Sequence, residues 1–151
     1  MKLKILVGSG RQIGLFTLPF LVAGLILNLF FPDLFTVGGP STFLTWVSII
    51  MLIPGILAWF WSVYLILTKI PRNELITNGP YSIMKHPLYT SVALLVIPWV
   101  GLLCNTWLGI LIGTVVYIGS RIYSQEEERI LAKIFEADWG NYCGKVLIKW
   151  L

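Results

Sequence analysis

Long uncharged stretches alternate with short polar ones along the chain. Charged residues are absent from residues 12–32, 34–68 and 87–120. Because about 20 apolar residues cross the hydrocarbon core of a bilayer, the first two stretches predict membrane spans at about 13–31 and 42–67. The third would form a helix of about 51 Å, too long for a core of about 30 Å. Cys104–Thr106 lies at its centre and predicts a turn between two short spans, at about 88–103 and 107–121.

Polar residues concentrate in two regions. The first, residues 69–87, follows the second span and is called here the polar segment. The second begins at Ser124 and is rich in charge. Its apolar positions recur on one helical face, which predicts a water-facing amphipathic helix at 124–137 followed by an interfacial tail. These apolar positions are Ile130, Leu131, Ile134 and Phe135.

The basic residues indicate how the chain is oriented. Three precede the first span, three lie between Lys69 and Lys85, and five lie from Arg121 onward, whereas the other two connections have none. Positive charge favours the cytoplasmic side of a membrane. The sequence therefore predicts a single-domain, all-α, multi-pass membrane protein with four spans. Both termini and the polar segment would lie on the cytoplasmic side.

Composition excludes several other classes of protein. The chain is 57% hydrophobic and only 12% charged, against about 25% charged residues in soluble domains. The first apolar stretch ends in Pro32-Asp33 and not in a small-residue cleavage site, so a span is preferred to a signal peptide. Two cysteines and one histidine make a zinc site improbable. A net charge of +4 is too small to indicate a nucleic-acid partner.

Residues Gly79–Tyr89 carry the most distinctive chemistry and include the only histidine, His86. Pro87 follows it as a favoured first residue of a helix. Free amides at a helix start can bind an anion, and Lys85 and His86 would add donors beside them. The plainer alternative is that His86 is an ordinary interfacial residue.

Three adjacent carboxylates, Glu126, Glu127 and Glu128, follow the last predicted span. Such a run is commonly a solvated face. At a membrane surface opposite the polar segment, however, a cation would offset the mutual repulsion, and an ammonium or sulfonium group could supply it. Together the two regions suit a zwitterionic ligand, and S-adenosylmethionine has that charge pattern.

The residues of both regions resemble a known family. Gly79-Pro80-Tyr81, then Lys85-His86-Pro87-Leu88-Tyr89, precede a second group consisting of Glu127-Glu128, Leu131, Phe135, Trp139, Tyr142 and Val146. This order is similar to that in the isoprenylcysteine carboxyl methyltransferases and related phospholipid methyltransferases. The resemblance covers about residues 73–146.

The resemblance implies a membrane-embedded methyltransferase that uses S-adenosylmethionine, releases S-adenosylhomocysteine and needs no metal. It implies catalytic roles for Glu127 and Glu128, with Arg121 as a candidate for contacting the substrate. Its implied cofactor-binding residues are Asn73, Glu74, Leu75, Ile76, Tyr81, Lys85, His86, Pro87, Leu88, Tyr89 and Glu127.

Three positions depart from the family pattern. Lys85 stands where arginine is usual and lacks its bidentate geometry, and Asn73 replaces a histidine. Tyr123 occupies the position of an arginine that contacts the substrate carboxylate in the carboxyl methyltransferases, while Arg121 lies on a different helix face.

Several acceptors and functions stay open. The expected partner is a lipid or prenylated small molecule in the membrane, first of all an isoprenylcysteine-type carboxylate. A phospholipid head-group amine and a small thiol are alternatives. More distant readings are a sterol-reductase-like protein, suggested by the residues from Phe135 to Val146, and a membrane scaffold without enzymatic activity.

Overall fold

The computed structural model describes residues 9–39 and 41–149, and within them the secondary structure is helical. Lys2, Lys4 and the end of the predicted interfacial tail lie outside these residues. The helices are α1 (Gly10–Phe30), α2 (Pro32–Phe35), α3 (Thr42–Lys69), α4 (Pro80–Ile83), α5 (Pro87–Leu103) and α6 (Leu108–Lys145). A 3-10 turn, Ile70–Arg72, follows α3, and a π-helical turn, Val92–Val96, interrupts α5.

Two of the described helices, α1 and α3, are long and apolar enough to cross a membrane. Both correspond to spans predicted from the sequence. Their apolar side chains point outward: Leu29 on α1 is 80% exposed and Phe43 on α3 is 77% exposed. The core helix of a soluble protein would bury such residues, so this exposure indicates contact with lipid.

A tight turn joins α5 to α6. Asn105 adopts a left-handed conformation with φ 56°, and the Thr106 amide donates to the Gly101 carbonyl at 2.9 Å. A Cβ atom on Gly101 would lie only 2.6 Å from Gly109 Cα, so the two backbones approach closely here. That α5 and the first part of α6 both span the bilayer stays a prediction.

The charged C-terminal region differs from the prediction. The predicted start of a separate helix at Ser124 is wrong, because α6 begins at Leu108 and continues without interruption through Arg121 and Ser124. The backbone of α6 is non-helical at Glu136, with φ 39° and ψ −110°, so a break lies beside the predicted end at residue 137. The residues at this junction, Arg121–Glu128, contain neither proline nor glycine and are compatible with a continuous helix. The change from apolar to charged composition therefore reflects a change of surroundings along one helix.

Helix α6 is central to the packing. It contacts α1 and α5, and α5 in turn contacts α3. Burial of apolar side chains between these helices holds the starts of α1 and α5 beside the middle of α6. The core side chains are Ile13, Phe35, Ala93, Leu108, Ile112 and Val116.

Candidate functional site

A cavity of about 550 Å³ lies between the polar segment and the second half of α6. This volume falls within the range of roughly 300–1,000 Å³ typical of small-molecule sites. The two predicted regions, which are distant in sequence, therefore share one cavity. Its lining consists of Ile66, Ile70, Asn73, Glu74, Leu75, Ile76, Tyr81, Lys85, His86, Tyr89, Glu127, Leu131, Ile134, Phe135, Trp139 and Tyr142.

Local turns shape the polar segment around this cavity. Asn73 ends the 3-10 turn in a left-handed conformation with φ 57°. Gly79 has φ 63°, and a Cβ atom there would lie 2.9 Å from the Trp61 ring, so both its conformation and its surroundings require glycine. Pro80 and Pro87 then occupy the first positions of α4 and α5. This succession of turns brings Tyr81 and His86 to the same cavity.

One face of α6 forms the opposite wall. Before the break at Glu136, the α6 residues that line the cavity are Glu127, Leu131, Ile134 and Phe135, and their spacing keeps them on one side of a helix. The sequence analysis assigned Leu131, Ile134 and Phe135 to an apolar stripe and named Trp139 and Tyr142 in the family resemblance, but it predicted none of the five as a cofactor-binding residue. Extending the helical period from Glu127 would have placed Leu131, Ile134 and Phe135 on the cavity wall, whereas Trp139 and Tyr142 follow the non-helical Glu136.

Glu128 joins the two walls through a compact ion-pair cluster. His86 Nε2 lies 2.9 Å from Glu128 Oε1, and Lys85 Nζ lies 3.0 Å from Glu128 Oε2. The hydrogen bond from His86, supported by Lys85 and opposed by burial, lowers the pKa of Glu128 to about 2. A carboxylate with so low a pKa is a weak proton acceptor. Glu128 therefore has a structural role: it connects α6 to Lys85 and His86, the residues just before α5.

Glu127 faces the cavity and contacts the start of α1. The backbone amide and the Oγ of Ser9 lie 3.4 and 3.3 Å from Glu127 Oε2. The same Oγ donates to the Tyr123 carbonyl at 2.8 Å. Sequence reasoning missed Ser9, because a serine before an apolar helix is commonly an ordinary N-cap.

Not all of the predicted site residues lie at the cavity. Glu126 and Arg121 are exposed, and neither is among the described residues that line it. Pro87 is fully buried, and Leu88 and Glu128 also lie outside the lining. The three adjacent glutamates thus have three different environments.

The end of α6 and the chain that follows it bond back to the polar segment. The Tyr142 hydroxyl donates to the Tyr81 carbonyl at 2.8 Å, and the Ile148 amide donates to the Ile83 carbonyl, also at 2.8 Å. Burial raises the pKa of both phenols, with the Glu127 charge adding to the effect at Tyr81. Both therefore stay protonated and can donate hydrogen bonds near neutral pH.

Within residues 9–39 and 41–149, no group of three or more His, Cys, Asp and Glu side chains is arranged to hold a metal ion. The polar groups of the cavity instead suit an organic ion. Glu74 and Glu127 present carboxylates, whereas Lys85 presents an ammonium group that has further donors besides the one used by Glu128. The remaining walls are largely apolar or aromatic.

Comparison with protein families gives a match. The family model described as phospholipid methyltransferase matches residues 36–138, about two thirds of the chain. This range includes the whole polar segment and most of the α6 face, but neither Ser9 nor Tyr142. Comparison with characterised proteins and with solved structures gives no match.

Proposed function

Because the chain belongs to the phospholipid methyltransferase family, we propose that it transfers a methyl group from S-adenosylmethionine to a lipid-like acceptor at a membrane surface. The family match confirms the resemblance to membrane methyltransferases that Gly79–Tyr89 and the residues from Glu127 onward suggested. The observation that carries the proposal is the shared cavity, which brings a carboxylate, an ammonium group and aromatic rings within reach of one small molecule.

The cavity suits the cofactor group by group. Glu127 offers a negative charge to the sulfonium or the ammonium, and Lys85 offers donors to the carboxylate. Tyr89 and Trp139 can add cation–π contacts. Apolar side chains of α6, such as Phe135, provide a surface for the adenine ring. All of these residues line the cavity.

Methyl transfer requires little acid–base catalysis by the protein. When bound, S-adenosylmethionine supplies an activated methyl group: the carbon–sulfur bond breaks as the acceptor atom bonds to the methyl carbon. The contribution of Glu127 and Lys85 is then to orient the reactants. The apolar wall of α6 excludes water, and Glu128 serves by holding Lys85 and His86 in place.

A phospholipid head-group amine is the better supported acceptor. The carboxylates of Glu74 and Glu127 attract a cationic head group and would repel a carboxylate. Arg121, the candidate partner for an isoprenylcysteine carboxylate, is exposed and outside the described lining. An ammonium acceptor must release one proton before attack, and that proton passes to water or to Glu74. Ile66 on α3 and Ile70 in the 3-10 turn after it line the cavity and are suited to contact acyl chains.

The test is product analysis with purified protein in vesicles and S-adenosylmethionine carrying a labelled methyl group. Three vesicle preparations would contain an amine phospholipid, a prenylated cysteine or a small thiol. We expect label in the methylated amine phospholipid and little in the others. Label in the prenylated cysteine alone would show that the acceptor is an isoprenylcysteine carboxylate and not a phospholipid amine. No label in any of these or in native membranes would contradict the proposed activity.

A further inference from the structure

We propose that Ser9 is a positioning residue that holds the Glu127 carboxylate against the cavity. This inference rests on the proposed function of the cavity and deepens it. Ser9 lies before the residues matched by the family model, which begin at residue 36. The start of α1 would then complete the site in addition to anchoring the chain in the membrane.

The burial and contacts of Ser9 support this role. The residue is only 3% exposed. It occupies the N-cap position of α1, yet within the described chain its side chain makes no capping bond to its own helix. Its hydroxyl instead reaches across to α6, where it donates to the Tyr123 carbonyl and lies near Glu127 Oε2. The buried Ser9 hydroxyl therefore bonds to α6 and not to its own helix.

Glu127 in turn serves the start of α1. The first amides of a helix lack partners within the helix, and the positive end of the helix dipole attracts a carboxylate. Glu127 Oε2 lies near the Ser9 amide, so it takes the place that a local capping side chain would normally fill. The Tyr89 hydroxyl is close by, at 3.9 Å from the position of a Cβ atom on Gly10. The start of α1 thus contacts Glu127 and lies close to Tyr89, and both of these residues line the cavity.

Loss of the Ser9 hydroxyl should free the Glu127 side chain without emptying the cavity. The backbone amide at position 9 is still present, but the bond from the hydroxyl to the Tyr123 carbonyl that holds this amide beside the Glu127 carboxylate is lost. A charged group that is held less firmly must be ordered when the ligand binds, which weakens binding. Ser9 should therefore act on ligand affinity only through Glu127.

A double-mutant cycle tests this coupling. Calorimetry would give the dissociation constant of S-adenosylhomocysteine for four purified full-length proteins: unmodified, Ser9→Ala, Glu127→Gln and the double variant. Ser120→Ala is a matched control, since Ser120 is another buried serine whose hydroxyl bonds within α6, to the Tyr117 carbonyl. Thermal midpoints without ligand would measure any loss of stability. Ser9→Gly, which also lacks the hydroxyl, replaces Ser9→Ala if the alanine variant does not purify.

We expect Ser9→Ala to weaken S-adenosylhomocysteine binding about three- to tenfold, the effect of losing one hydrogen bond, here the bond from the Ser9 hydroxyl to the Tyr123 carbonyl that holds Ser9 beside Glu127. The same substitution should change affinity less than twofold in the Glu127→Gln background, and Ser120→Ala should leave affinity unchanged. The proposed role of Ser9 would be overturned if Ser9→Ala weakened binding equally in both backgrounds. It would also be overturned if Ser9→Ala had no effect in either background while Glu127→Gln did weaken binding, and in both cases the proposed cofactor site would stand. Unchanged affinity in Glu127→Gln would instead count against the proposed cofactor site.

Discussion

At the scale of single residues, the three adjacent glutamates show how position within a helix separates identical side chains. Glu126 faces solvent, Glu127 faces the cavity, and Glu128 bonds Lys85 and His86. Successive helical residues are about 100° apart around the axis, so three neighbours cannot share one environment. The sequence could indicate a carboxylate cluster, but assigning a role to each glutamate requires the packing of α1 and α5 against α6.

Glu128 should make a stability contribution that depends on pH. Its pKa is lowered from 4.5 to about 2 in the folded protein. A depressed folded pKa stabilises the protein above the unfolded pKa, and this contribution is lost as the pH falls from about 4.5 towards 2. We expect Glu128→Gln to lower the thermal midpoint clearly at pH 6 and progressively less below pH 4.5. The measurement is thermal unfolding in detergent across this range, with Glu126→Gln as the control.

A difference between the unmodified protein and Glu128→Gln that stays constant from pH 6 to pH 3 would contradict this linkage. It would mean that the loss of stability arises from packing at Glu128 and not from its charge.

At the scale of helices, the long apolar elements were predictable and the continuity of α6 was not. Runs of about 20 apolar residues were sufficient to locate α1 and α3. The end predicted near Arg121 is wrong because the change from apolar to charged residues there occurs within a continuous stretch of helix. Glu136 illustrates a second limit: its φ of 39° and ψ of −110° distort α6 between Phe135 and Trp139, and no glycine or proline marks the position. The contact of Ser9 with Glu127 is tertiary and leaves no local pattern.

Because α5 and α6 approach closely at Gly101, we expect the addition of one methyl group there to lower the stability of the protein. Gly101→Ala would place a Cβ atom 2.6 Å from Gly109 Cα, and backbone atoms cannot move aside as a side chain can. Overpacking of this kind typically costs about 1–3 kcal/mol. We expect a lower thermal midpoint for Gly101→Ala and little change for Gly14→Ala, since a Cβ atom on Gly14 meets no described atom within 4 Å. Equal midpoints for the two variants would show that α5 and α6 are less closely packed than this.

At the scale of the whole molecule, the exposed apolar surface of α1 and α3 and the family match both indicate a membrane protein. We propose further that the cavity faces the cytoplasm. All eleven basic residues lie at or before the start of α1, in the polar segment or from Arg121 onward, and cytoplasmic segments are the ones enriched in lysine and arginine. The turn at Cys104 would then lie on the opposite side of the membrane.

The native cysteines offer a test of this orientation. Cys104 is exposed in the turn between α5 and α6, whereas Cys143 is half-buried near the C-terminal end of α6. We expect a membrane-impermeant maleimide to label Cys104 in intact cells and Cys143 only after permeabilisation. Variants that replace each cysteine with serine identify which site reacts. Labelling of Cys143 but not Cys104 in intact cells would reverse the orientation.

The central claim is that the polar segment and α6 together form one S-adenosylmethionine site, and the affinity of S-adenosylhomocysteine tests it most directly. Calorimetry should show one site per chain in the unmodified protein. We expect binding to be weakened about tenfold or more in Glu127→Gln, because a charge-assisted contact is lost, and to be unchanged in Glu126→Gln, whose side chain faces solvent. Absence of binding by the unmodified protein, or equal affinities of the two variants, would contradict the account.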